Sequence, residues 1–159
     1  MSGRDLSAIL IAAVGVGAAL AQSPLLEGHG PPLVMLGGGI RGAAEFAPHA
    51  ATLARNSRVI RIQTQNIASV EAGVPLPPKY SVKAESRALY ESLDRLGILT
   101  TVDLVGHSFG ALVALDFALD HPDRIRSLTL AEPPAFGQFQ SQSFRPPRIC
   151  GKCSTSVSR

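Results

Sequence analysis

The chain has 159 residues, of which 45% are hydrophobic and 17% charged, with a net charge of +3. That length allows one domain large enough to bury a core, and that composition excludes a disordered polymer while fitting a globular or exported protein. Trp is absent and no basic stripe is interleaved with aromatics, which argues against nucleic-acid binding.

Arg4 precedes an apolar run from Leu6 to Ala18, which ends in Ala19-Leu20-Ala21. A basic start, a short apolar core and a small-x-small end predict a secretory signal peptide over residues 1–21, cleaved after Ala21. Asp5 offsets the charge of Arg4, and the run is shorter than the ~20 apolar residues of a membrane span. A membrane anchor is the second reading and a buried element of the fold the third. The expected location is therefore exported, with membrane-anchored or cytoplasmic as alternatives.

Residues 22–32 are rich in Gly and Pro and read as a linker ending in a turn. Leu33-Val34-Met35-Leu36 is a short apolar run suited to a buried strand, halted by Gly37-Gly38-Gly39. This glycine run lacks both the Lys-Ser/Thr of a phosphate-binding loop and the spacing of a dinucleotide fingerprint. Between Ala43 and Arg55, the residues Phe46, Ala50, Leu53 and Ala54 share one helical stripe. Arg58 to Ile62 then alternates as a strand does, and strand-helix-strand at this spacing predicts a parallel unit with a right-handed crossover.

Thr64 to Lys79 contains Pro75, Pro77 and Pro78 and reads as a surface loop that overhangs the site. Ser81 to Leu96 predicts a helix with Val82, Leu89, Leu93 and Leu96 inward and Lys83, Glu85, Arg87, Glu91 and Asp94 mostly outward; Gly97 stops it. Thr101 to Val105 reads as a strand, Phe109 to Leu119 as a helix, and Ile125 to Ala131 as a further strand ending in Glu132-Pro133-Pro134. From Phe136 the period vanishes, so residues 136–159 read as an irregular, disordered tail. Cys150 and Cys153 form a C-x-x-C there, but with no second ligand pair for zinc and no flanking strand and helix for a redox motif they read as loose tail cysteines.

Gly106-His107-Ser108-Phe109-Gly110 joins the predicted strand to the predicted helix. A serine can be thrust out on so sharp a turn only if the residues two before and two after it carry almost no side chain. The helix that follows then aims the positive end of its dipole at any oxygen that turns negative when Ser108 attacks a carbonyl.

With this elbow, its helix, the His-Pro-Asp-Arg after it and the next strand, Val102 to Pro134 resembles the nucleophile-elbow region of the α/β-hydrolase superfamily. The resemblance extends more loosely back to Pro31. It implies an α/β fold, a partial α/β-hydrolase domain over residues 22–135, with a mostly parallel sheet and flanking helices. It also implies that the loop after Leu36 supplies half of an oxyanion hole, with backbone donors at Gly38 and Phe109. The family usually has His where this chain has Leu36, a departure that removes no donor because the donors are backbone groups. Glu132 matches one of two family positions for the acid, and equally a pocket-wall element of members whose acid lies later.

In this fold the order is nucleophile, acid, then histidine, and no histidine follows Glu132. The backbone at an elbow aims neighbouring side chains apart, so His107 reads as a packing or pocket residue. His121 lies about 20 Å along the helix from Ser108, His49 is on a helix flank, and His29 precedes the first clear strand. The expectation is a serine hydrolase acting on ester or related acyl bonds of a small-molecule substrate, without metal or cofactor, whose chain departs from the family after Ala135 as a truncated or frame-altered product would. The alternative is a non-catalytic remnant or binding module that keeps the fold. Contact with a membrane is expected only if residues 1–21 are retained.

Overall fold

Five strands set the frame: β1 (Leu25–Glu27), β2 (Pro32–Leu36), β3 (Arg58–Ile62), β4 (Val102–His107) and β5 (Ile125–Ala131). The structure, a computed structural model, describes residues 24–134. The predicted signal segment 1–21, the tail 136–159 and the two cysteines lie outside the described residues. Among those described, no helix is long and apolar enough to cross a membrane.

The strands lie in the order β1-β3-β2-β4-β5. β2 pairs in parallel with both β3 and β4, β4 pairs in parallel with β5, and only β1 runs antiparallel, on the outer side of β3. Parallel neighbours end at the same edge of the sheet. Leu36 lies opposite Gly106, and His107 opposite Ala131. The glycine loop after β2, the turn after β4 and Glu132 after β5 are thereby gathered on the carboxyl edge, where sheets of this kind bind ligands.

Alternation along β2 sends Val34 and Leu36 to one face and Met35 to the other. The first face is the larger core, where helices α3 (Val82–Arg95) and α4 (Phe109–Asp120) contribute Leu89, Leu93, Val113 and Phe117. The second face packs Met35 and Val59 against Ala50 of α1 (Ala47–Leu53). Ser81 begins α3 by accepting a hydrogen bond from the Ala84 N–H at 3.1 Å, and Gly97 follows its end at φ +67°. Both match what the sequence implied.

Four local readings need correction. The segment read as a linker contains β1, too short to show a period between its Pro and Gly neighbours. The helix expected over 43–55 begins later: residues Gly42–Phe46 form a 3-10 helix and α1 starts only at Ala47, with Pro48 in its first turn. Proline has no N–H to give and is tolerated there, which fixes the start. The loop expected over 64–79 instead holds α2 (Gln65–Ala72), which buries Ile67, Ala68 and Ser69 and ends at Gly73 in the left-handed region. The prolines that suggested a loop all come after that stop.

The fourth correction concerns Glu85, expected outside and found 3% exposed. The reason lies in α2. The Thr64 side chain makes no capping bond, so the first N–H groups of that helix need an acceptor. Those of Gln65 and Asn66 donate to the two Glu85 carboxylate oxygens at 3.1 and 3.3 Å. One buried carboxylate on α3 thus caps a neighbouring helix and locks the two together.

Burial pushes the Glu85 carboxyl above its ordinary pKa, against the pull of the two N–H donors. The folded state therefore holds this proton more readily than the unfolded chain. Its contribution to stability is complete below the unfolded carboxyl pKa of ~4.3 and is lost as pH rises through the raised folded value. Glu85→Gln cannot ionise, so urea unfolding at a series of pH values from acid to neutral should show wild type losing stability relative to the variant as pH rises. A difference that stays flat across that range would contradict burial as the dominant cause.

Candidate functional site

The turn between β4 and α4 is set by contact distances. A Cβ on Gly106 would stand 2.5 Å from the Gly110 carbonyl oxygen, and one on Gly110 would stand 2.3 Å from the Leu36 carbonyl oxygen. No side chain fits at either position, because real Cβ atoms do not approach so closely. With both glycines in place, Ser108 takes φ +51° and ψ −119°, a region that costs a residue with a Cβ about 1–3 kcal/mol. Its N–H donates to the Ala131 carbonyl at 2.9 Å, which ties the turn to β5. Its hydroxyl does not cap α4 and has no hydrogen-bond partner among the described residues.

The structure gathers Ser108, Gly38, Phe109 and Glu132 on one edge, as the sequence implied. A methyl built on Gly38 would lie 3.4 Å from each of Ser108 Cβ, His107 Nδ1 and Glu45 Oε2, so three side chains converge on that glycine. Phe109 is the first residue of α4, and its N–H therefore has no acceptor within the helix. The Gly38 N–H is already engaged: it donates to Glu45 Oε2 at 2.6 Å.

Glu45 was not legible as a site residue, because only the 3-10 helix folds it back over the glycine loop. Its second oxygen, Oε1, lies 2.5 Å from His107 Nδ1, while His107 Nε2 is 3.5 Å from Glu132 Oε2. The imidazole sits between two carboxylates beside the nucleophile candidate, so of the packing and pocket readings of His107 the structure favours the pocket. Glu132 is 86% exposed at its side chain and holds φ +47°. His29 and His49 are exposed, and His121 packs against the rings of Tyr90 and Phe117 at 4.6 and 5.1 Å. None of these three reaches the site.

The other wall was also missed in the sequence. Tyr80 stacks on Phe109 with ring centroids 6.4 Å apart, and Asn66 Nδ2 donates to the Gly39 carbonyl at 3.3 Å. Burial and the nearby charge of Glu85 push the Tyr80 phenol well above its ordinary pKa, so the hydroxyl stays neutral. Among the described residues no group of three or more His, Cys, Asp or Glu side chains is arranged to hold a metal ion.

Strain at the turn predicts an unusual response to glycine. Ser108→Gly relieves about 1–3 kcal/mol of backbone strain at a cost of about 0.5–1 kcal/mol in unfolded-chain entropy. The variant should therefore melt a few degrees higher by calorimetry. Ser108→Ala keeps the Cβ and should show no such gain.

A family model described as alpha/beta hydrolase fold matches residues 31–147. Over 103 residues the chain is 37% identical to "Putative carbamate hydrolase RutD" of Klebsiella pneumoniae (strain 342), covering 64% of this chain and 37% of that protein. Over 110 residues it is 33% identical to the protein of the same name from Caulobacter segnis, covering 65% and 40%. Among solved structures, a marine microorganism esterase aligns with a TM-score of 0.60 at 25% identity over 67% of this chain and 40% of its own. An alpha/beta hydrolase from Sphaerobacter thermophilus DSM 20745 aligns with a TM-score of 0.55 at 30% identity over 70% and 40%. The chain thus spans roughly two-fifths of the length of the relatives it matches. By the match over residues 31–147 and by the fold that carries it, the chain belongs to the alpha/beta hydrolase family.

Proposed function

We propose that the chain carries the nucleophile half of a serine hydrolase acting on acyl bonds, with Ser108 as the attacking group. The single observation that supports this most is the turn itself: a strained serine whose hydroxyl has no partner among the described residues, at the carboxyl edge of a mostly parallel sheet, heading a twelve-residue helix. Such a turn costs about 1–3 kcal/mol of local strain, and the serine hydroxyl makes no hydrogen bond among the described residues that would require it.

In this reading Ser108 Oγ bonds to the acyl carbon while its proton passes to a base. The carbonyl oxygen becomes an alkoxide, received by the N–H groups of Gly38 and Phe109 at the positive end of α4. Esters fit, as the structural likeness to the marine esterase suggests, and so do carbamates, as the name of the RutD relatives suggests. Both present a carbonyl carbon to the nucleophile.

The base is the incomplete part. His107 is beside Ser108, but its two ring nitrogens face Glu45 and Glu132, and no hydrogen bond joins it to the serine among the described residues. The 3.5 Å approach of a Glu132 oxygen to His107 Nε2 supports reading Glu132 as the acid. Removing the base from a triad leaves a residual acceleration of about 10³–10⁴-fold over water from oxyanion donors and binding alone. The second reading, a non-catalytic module that keeps the fold, draws on the same two observations: the engaged Gly38 N–H and the absence of a base among the described residues.

A fluorophosphonate probe separates the two. Slow labelling that maps to Ser108 and disappears in Ser108→Ala is the expected outcome, with weak turnover of p-nitrophenyl acetate lost in the same variant. Labelling that is equal in Ser108→Ala would overturn the nucleophile assignment.

A further inference from the structure

We infer that the Gly38 N–H and His107 Nδ1 form a carboxylate-binding cradle, and that Glu45 is its resident anion, an internal competitor for the position an acyl oxygen must reach. The inference rests on the Ser108 reading for its link to catalysis, but the cradle itself stands on geometry alone.

One Glu45 oxygen accepts the Gly38 N–H at 2.6 Å, and the other stands 2.5 Å from His107 Nδ1, a buried ring nitrogen that makes no hydrogen bond among the described residues and is open to a carboxylate oxygen. A carboxylic acid released beside Ser108 would present the same two oxygens to the same two groups, so the side chain imitates the product of acyl hydrolysis. Its placement is built from below. The Gly42 N–H donates to the Gly38 carbonyl at 3.0 Å, and the Ala43 N–H to Gln63 Oε1 at 2.8 Å. Arg61, 9% exposed, gives one nitrogen to the Ala43 carbonyl at 3.2 Å and another to Glu27 at 2.6 Å. Three ties to the loop after β2 and to β3 and its end thus fix the short helix that carries Glu45, and no large displacement of that helix is needed for the carboxylate alone to swing out.

The surroundings favour an anion there. A backbone N–H of the glycine loop and an imidazole nitrogen meet the carboxylate, and α4 begins beside the same loop; each interacts better with negative charge than with a neutral carbonyl. The ligand class that follows is a small carboxylate, or an oxyanion of similar shape. For such a ligand to enter, the Glu45 side chain has to leave Gly38 first.

The cradle is read directly from the Gly38 amide resonance in the full chain. A charge-assisted bond at this distance shifts the proton strongly downfield. Glu45→Ala should move it upfield and Glu45→Gln should move it part of the way, with melting temperatures confirming that both variants fold. Sodium acetate, titrated against chloride of equal ionic strength, should restore the shift in Glu45→Ala and leave wild type unmoved. Fluorophosphonate labelling of Ser108 should rise severalfold in Glu45→Ala, because the competent fraction of the site grows when its internal competitor is removed.

An amide unmoved by both substitutions would overturn the inference, as would acetate acting equally on wild type. If the amide responds as expected while no variant labels at Ser108, the cradle is upheld and the nucleophile reading fails.

Discussion

Everything at the carboxyl edge follows from the absence of two side chains. With only hydrogen on Gly110, α4 comes close enough for that residue to sit against the carbonyl oxygens of Leu36 and Gly37. That contact lays the start of the helix beside the loop after β2. Gly106 lets the strand turn into the helix without a clash, and Ser108 absorbs the angle. Move the helix outward by the width of a methyl group and Gly38 no longer faces the serine. The steric condition is local, yet it decides whether two chain segments some seventy residues apart in sequence form one site.

The strain is tolerable because the helix that imposes it is well buried. Ser108 and Glu132 both sit at positive φ, costing about 1–3 kcal/mol each. Against that, α4 buries Val113 and Phe117 to 1% exposure or less, with Ala111, Ala114 and Ala118 beside them. Full burial of one large apolar side chain contributes about 1.5–3 kcal/mol, so two such residues offset both strained positions. The edge is therefore held by the core beneath it, and its polar groups are free to be arranged for binding.

The frame was legible because hydrophobic period and stop signals agree there. Leu33–Leu36, Arg58–Ile62 and Ile125–Ala131 alternate or run apolar between turn residues, and Ser81 and Gly97 bracket α3. Legibility failed wherever meaning depended on a distant partner. Glu85 looks like a solvent-facing acid in sequence, and only the uncapped start of α2, twenty residues earlier, makes it a buried one. Glu45 lies on no recognisable pattern; the 3-10 helix that folds it back is fixed by Arg61 of β3 and by Gln63 just after it. For His107 the parting of side chains at an elbow leaves packing and pocket roles equally open, and only carboxylates arriving from other elements decide for the pocket. Sequence period reports what a segment buries against the sheet, whereas polar contacts across elements leave no periodic trace.

Backbone donors turned towards one point at the sheet edge pose a physical difficulty that Glu45 resolves at Gly38. Donors preorganised for a negative oxygen are costly to leave unsatisfied, at about 1–3 kcal/mol for each buried group, and the helix dipole adds to the pull on any nearby anion. A carboxylate within reach settles there unless something holds it away. The consequence for an incoming acyl group is asymmetric. A neutral carbonyl returns less than it displaces, since charge-assisted hydrogen bonds are roughly twice as strong as neutral ones. The oxyanion of the tetrahedral intermediate returns about as much. Displacing the internal anion costs the same for both, so only a charged oxygen recovers that cost, and the difference between the two is set by the donors themselves.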